Sequence, residues 1–194
     1  MADLTDEIAA SAAQWVVEEG LEYGPAKRRA LKALGLPPRT PLPNNDQVEV
    51  QVREYIELFC ADSQPEELLA LRRHALMWMM RLAEFRPYLG GAVWHGTATR
   101  LSDIYLQLFC DDAKSCEIEL INKGVAFEAR SVNGLHGEPV EALSIHSFCD
   151  ELGEEIGVHL LVNDFDDVRG ALKADAQGRS PRGDVEAVKR LIGA

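Results

Sequence analysis

The stretch GAVWHGTATRLSDIYLQLFCDD, residues 91–112, decides how the rest of the chain is read. An apolar run leads into Gly96-Thr97, a short polar loop carries Arg100, and Ser102-Asp103 opens a run whose side chains alternate in polarity. Alternation sets Ile104, Leu106 and Leu108 on one face of a strand and Tyr105, Gln107 and Phe109 on the other. AVWHG, before the turn, reads as a further strand. A glycine following a strand lets the backbone approach a ligand closely. Thr97 offers a hydroxyl and an amide to a phosphate oxygen, and Arg100 can grip the same phosphate through two parallel hydrogen bonds. Asp103 supplies a hard oxygen suited to magnesium. His95, beside the turn, is placed to meet a substrate as acid, base or hydrogen-bond partner; its plainer reading is a half-buried strand residue.

Outward from this stretch the chain divides into a helical first part and a strand-rich second part. Ile8, Ala12, Trp15 and Val16 recur at helical spacing over residues 3–19, and AKRRALKALG after Pro25 forms a second helix. Lys27, Arg28, Arg29 and Lys32 read as its solvated basic face. Residues 36–45, LPPRTPLPNN, hold four prolines and sustain neither helix nor central strand. They mark the expected boundary between an N-terminal segment, 1–45, and a main domain, 46–194. A helix to about residue 61 follows, with Val50, Tyr55 or Glu54, Leu58 and Phe59 as candidate contacts. A long helix is expected over 64–86, apolar on more than one face and ended by Pro87. Beyond residue 103 the pattern predicts a helix at 112–122 with Asp112 as cap, strands at 125–132, 140–148 and 157–164, a helix at 165–173 capped by Asp164, and a terminal helix starting at Ser180-Pro181. Helices first and strands after predict an α+β fold, a mixed sheet with helices packed on one face.

Composition narrows the function. A formal net charge of −12 repels polyphosphate backbones and anionic lipid, so extended nucleic acid and membrane are not expected partners. No apolar run is long enough to span a bilayer, and MADLTDEIAA lacks the basic and apolar regions of an export signal, which points to the cytoplasm. Cys60, Cys110, Cys116 and Cys149 show no metal-ligand spacing and read as small apolar thiols. His74 and His159 lie in apolar surroundings and read as satisfied core histidines.

Residues 91–106 resemble the nucleotidyltransferase superfamily with the DNA polymerase β-like fold. Its Gly-Ser turn, following arginine and Ser-Asp-Ile-Asp-Leu strand have counterparts in Gly96-Thr97, Arg100 and Ser102-Asp103-Ile104-Tyr105-Leu106. The resemblance implies magnesium-dependent nucleotidyl transfer from a nucleoside triphosphate, with Asp103 and Arg100 catalytic, Asp103 holding the metal, and His95, Gly96, Thr97 and Ser102 binding substrate. The chain departs from the family at two points. Tyr105 stands where a second carboxylate belongs, and a phenol with a pKa of about 10 is no anionic ligand at neutral pH. Five residues separate Thr97 from Asp103, fewer than the family uses. Glu128 and Glu141 are candidates for a third carboxylate. The alternative is a catalytically reduced relative that binds a nucleotide or a partner, as a homodimer through the exposed arm. An ordinary strand–loop–strand also remains open.

Overall fold

The computed structural model describes residues 3–194 as two compact units, one of residues 3–67 with 99–101, the other of residues 68–98 with 102–194. In the first, α1 (Leu4–Glu19), α2 (Tyr23–Ala33) and α3 (Asn45–Phe59) share one apolar core. Ala9, Ala12 and Ala13 of α1 and Ala26 and Ala30 of α2 are buried, and their small side chains let the helices pack closely. The expected boundary at 45/46 falls inside this unit, because α3 closes the same core from beyond the prolines. Its buried stripe is Val48, Val52 and Ile56, at i, i+4 and i+8. Val50, Leu58 and Phe59, expected as contacts, point to solvent. Asn44 caps α3 by accepting from the Gln47 amide, and Gln47 reaches back to the Asn44 amide. Lys27 departs from the solvated reading: it is buried, and its Nζ donates to Asn45 Oδ1 at 2.7 Å.

The second unit holds a five-stranded sheet of order β1-β2-β5-β4-β3, with β1 Tyr88–Gly90, β2 Ile104–Cys110, β3 Glu128–Asn133, β4 Pro139–Cys149 and β5 Glu154–Asp164. β2 and β5 run parallel and every other pair is antiparallel, so the sheet is mixed and the fold is α+β. Ile104, Leu106 and Leu108, Val158, Leu160 and Val162, and Leu143 and Ile145 alternate onto one face. There they meet Leu71, Ala75, Trp78, Met79 and Leu82 of α4 (Gln64–Arg81). Cys116 and Leu120 of α6 (Lys114–Asn122) and Val188 of α8 (Val185–Ile192) complete the core. Each buried Leu, Ile or Val contributes about 1.5–3 kcal/mol.

Three elements differ from the sequence reading. AVWHG is not a strand: β1 is the shorter Tyr88–Gly90, and residues 91–95 form the helix α5 (Gly91–His95). The Arg72 guanidinium explains the choice, donating to the carbonyls of Val93 at 2.9 Å and Trp94 at 3.0 Å, which a short helix leaves unpaired. The long helix stops at Arg81, short of Pro87, and a 3₁₀ turn (Ala83–Phe85) carries the chain on. The terminal helix begins at Val185, where Asp184 accepts from the Ala187 amide at 2.8 Å. Asp112 and Asp164 act as expected, accepting from the amides of Lys114 and Asp166. The latter opens a 3₁₀ turn (Phe165–Asp167) that leads into the short helix α7 (Val168–Ala171).

One polar group sits on the core side of β4. Ser147 Oγ accepts from Trp78 Nε1 at 2.9 Å and lies 2.8 Å from His74 Nε2. A neutral imidazole takes the hydroxyl proton while the indole donates to the oxygen, so all three groups are satisfied. Burial holds the His74 pKa below its ordinary value, against the upward pull of Asp150 and Glu151. The unfolded chain therefore binds more protons than the folded one below about pH 6.5. Stability is full above that pH and falls as the pH drops through the lowered folded value. Urea unfolding from pH 7.5 to 5 should show that loss, and His74→Gln should flatten it.

Candidate functional site

The strand pairing sets five residues in one row across the sheet. Gly90 lies opposite Tyr105, Tyr105 opposite His159, His159 opposite Ser144, and Ser144 opposite Glu128. All are on the face away from α4, α6 and α8; Tyr105, His159 and Ser144 are half-buried and Glu128 is exposed. Asp103 precedes β2 by one residue and lies over Gly157 of β5. A Cβ on Gly157 would stand 2.7 Å from the Asp103 carboxyl carbon, so the carboxylate occupies space that only glycine leaves.

Asp103 Oδ2 accepts from His159 Nε2 at 2.9 Å, and Ser144 Oγ lies 2.8 Å from His159 Nδ1. With neutral imidazole this is one directed chain, in which the Ser144 hydroxyl donates to Nδ1 and Nε2–H donates to the carboxylate. The Tyr105 ring lies 4.9 Å from the imidazole, centroid to centroid, and walls its flank. His159 is 13% exposed by side chain and Asp103 45%, so the histidine is held while the acid still faces solvent. Asp103, His159, Ser144, Glu128 and Arg130 line a cleft of about 390 Å³. Chemically, the arrangement holds a carboxylate in one orientation beside a hydroxyl whose proton points toward a base.

The predicted site residues scatter. Gly96 (φ 91°) closes α5, and the amides of both Gly96 and Thr97 donate to Ala92 O, at 2.9 and 3.0 Å. Thr97 is also buried, so this turn does not present its amide to a phosphate as expected. The glycine turn between a strand and a helix lies upstream instead, at Gly90-Gly91, where Gly91 has φ 66° and α5 starts without a side-chain cap. Eleven residues separate Gly91 from Asp103. His95 and Ser102 are half-buried. Arg100 belongs to the first unit, where its backbone N–H donates to Glu67 Oε2 at 2.9 Å. The arginine in the Asp103 cleft is Arg130. Glu141 pairs with Val162, which places it on the opposite face from His159, beside Lys114 of α6. Glu128 shares the cleft with Asp103.

His159 reads from sequence as a core histidine but meets Asp103 on the polar face of the sheet, as does Ser144, which no sequence motif marks. Alternation in GVHLLV does set His159 apart from Val158 and Leu160, but only the pairing reveals what it faces. The donor set does not fit a resident magnesium ion. Among the described residues no three His, Cys, Asp or Glu side chains converge on a metal position, and one Asp103 oxygen is bonded to an imidazole.

No protein-family model matches the chain, and no curated protein matches it in sequence. Among solved structures, similarity is found to the Cid1 poly(U) polymerase with MgGTP bound (19% identity, TM-score 0.37) and to Cid1 with the UTP analog UMPNPP (18%, 0.36). It extends to a cytoplasmic RNA terminal U-transferase (18%, 0.37). The overlap takes in 57% of this chain but only 36–38% of theirs. At those scores it carries no weight for the site, which rests on its own geometry.

Gly157→Ala tests that geometry. The clashing atoms are the end of a movable side chain, so stability should fall by less than about 1 kcal/mol while Asp103 swings off His159. The imidazole NMR signals of His159 should shift in Gly157→Ala as they do in Asp103→Ala.

Proposed function

We propose that this protein is a nucleotidyltransferase-like protein that acts on a nucleoside triphosphate, bound as its magnesium complex on the polar face of the sheet. The observation that supports it most is the placement of the Gly90-Gly91 turn and Asp103 on neighbouring strands around Tyr105. A glycine turn that opens a helix lets phosphate oxygens come close to the backbone. Magnesium that arrives with a triphosphate already has phosphate and water ligands and needs only one or two carboxylates from the protein. Asp103 is the acid of the cleft that is held by His159 and seated on Gly157.

On this reading Asp103 is the catalytic carboxylate and the contact to the incoming metal. Tyr105 forms the wall where a second acid would stand, and Arg130 provides the positive charge in the cleft. Gly96 and Thr97 close α5 through Ala92 O rather than touching phosphate. Thermal unfolding with each nucleoside triphosphate, with and without magnesium, tests the proposal. A ligand at one hundred times its Kd adds about 2.7 kcal/mol, a shift of several degrees. The shift should require magnesium and vanish in Asp103→Ala. A shift of equal size in EDTA, or one retained by Asp103→Ala, would overturn it.

A further inference from the structure

The two edges of the sheet end differently. Beyond β1, Gly183 closes the edge: the Leu89 N–H donates to Gly183 O at 2.8 Å, and the Gly183 N–H donates to Leu89 O at 3.0 Å. β3 is the last strand on the other side, and among the described residues no strand lies beyond it. Glu128, Ala129, Arg130 and Ser131 are all exposed. An open edge of this kind is a template for another strand.

The hairpin that joins β3 to β4 fixes which backbone groups face outward. The Gly134 N–H donates to Glu138 O at 2.7 Å, so these two residues form a bonded pair. Antiparallel pairs alternate between bonded and non-bonded. In the register of β3 on β4, the bonded pairs are then Val132 with Val140, Arg130 with Ala142 and Glu128 with Ser144. Pro139, which has no N–H, falls in a non-bonded pair with Asn133. The amides and carbonyls of Ala129 and Ser131 therefore point away from β4, and an added strand must bond to them. A second β3 related by a two-fold axis offers the same residues, so the axis passes through a residue and not between two. An axis at Glu128 or Arg130 sets like charges against each other, and one at Ser131 leaves Arg130 opposite Val132. An axis at Ala129 sets Glu128 of each copy opposite Arg130 of the other. Those pairs are the non-bonded ones, in which side chains stand closer.

We propose that two copies of this chain join edge to edge through β3, antiparallel, with the two-fold axis at Ala129 and Glu128 of each copy paired to Arg130 of the other. Charge order selects a second copy as the occupant, because Glu128-Ala129-Arg130 is its own complement when reversed. Gly183 closes the opposite edge, so the pairing ends at two chains and does not grow into a filament. Glu128 and Arg130 also line the Asp103 cleft, so Arg130 of the second copy comes to its rim. Pairing of the strands needs no nucleotide.

Sedimentation equilibrium of the full chain, without nucleotide, tests the pairing. The chain should show a reversible monomer–dimer equilibrium. Glu128→Arg meets Arg130 of the other copy at both ends of the axis and should weaken the dimer by about tenfold or more. Adding Arg130→Glu exchanges the two charges and should restore it. Ala129→Pro removes an outward N–H that β4 does not use, so the monomer should stay folded by circular dichroism while the dimer is lost. A chain still monomeric at about 0.5 mM overturns the proposal. So does a dimer that keeps its strength in Glu128→Arg or Ala129→Pro, which would put the contact elsewhere, as on the proline-rich arm. Failure of the charge exchange to restore the dimer overturns it as well.

Discussion

The parallel pairing of β2 with β5 is the constraint on which the second unit depends. It is a ladder of backbone hydrogen bonds between segments separated by α6 and two other strands, and its register admits no slip. A shift by one residue would turn Ile104, Leu106 and Leu108 out of the core and send Tyr105 and Gln107 in. The apolar face therefore locks the register, and the register then dictates which polar side chains meet on the other face. Asp103 over Gly157, and Tyr105 beside His159, follow from packing on the side of the sheet that takes no part in the chemistry.

The chemistry that results differs from what a pair of alternating carboxylates would do. Tyr105 stands beside Asp103 where a second strand carboxylate would alternate with it, and His159 is bonded to Asp103, while Glu128 and Glu155 line the same cleft from other strands. A carboxylate held by an imidazole is well oriented, with one oxygen already engaged. Ser144 makes the imidazole a bridge rather than a terminus, so the rotamer of Asp103 is fixed from two strands away. Gly157 removes the last obstacle to that rotamer.

Charge is distributed to match. The net charge of −12 is no uniform coat. Beyond the ends of β2 and β5 carboxylates alone of the charged groups, apart from His136, line a crevice, whereas the Asp103 cleft sets Arg130 among Asp103, Glu128 and Glu155.

The α+β class, the order of elements, the alternating strand from Ile104 and the caps at Asp112 and Asp164 were legible in the chain itself, because each depends on neighbours within a few residues. The same local logic misplaced AVWHG: five apolar residues suit strand or helix equally, and the guanidinium that favours the helix comes from Arg72, far back in the chain. It also reads Gly96-Thr97 as a turn after a strand, whereas Gly96 closes a helix, since turns that end strands and turns that end helices use similar residues. His159 and Ser144 could not be joined to Asp103 from sequence, because they are separated by tens of residues and meet only through strand register. Local periodicity determined the elements. Long-range hydrogen bonding and the close approach that Gly157 allows determined the site.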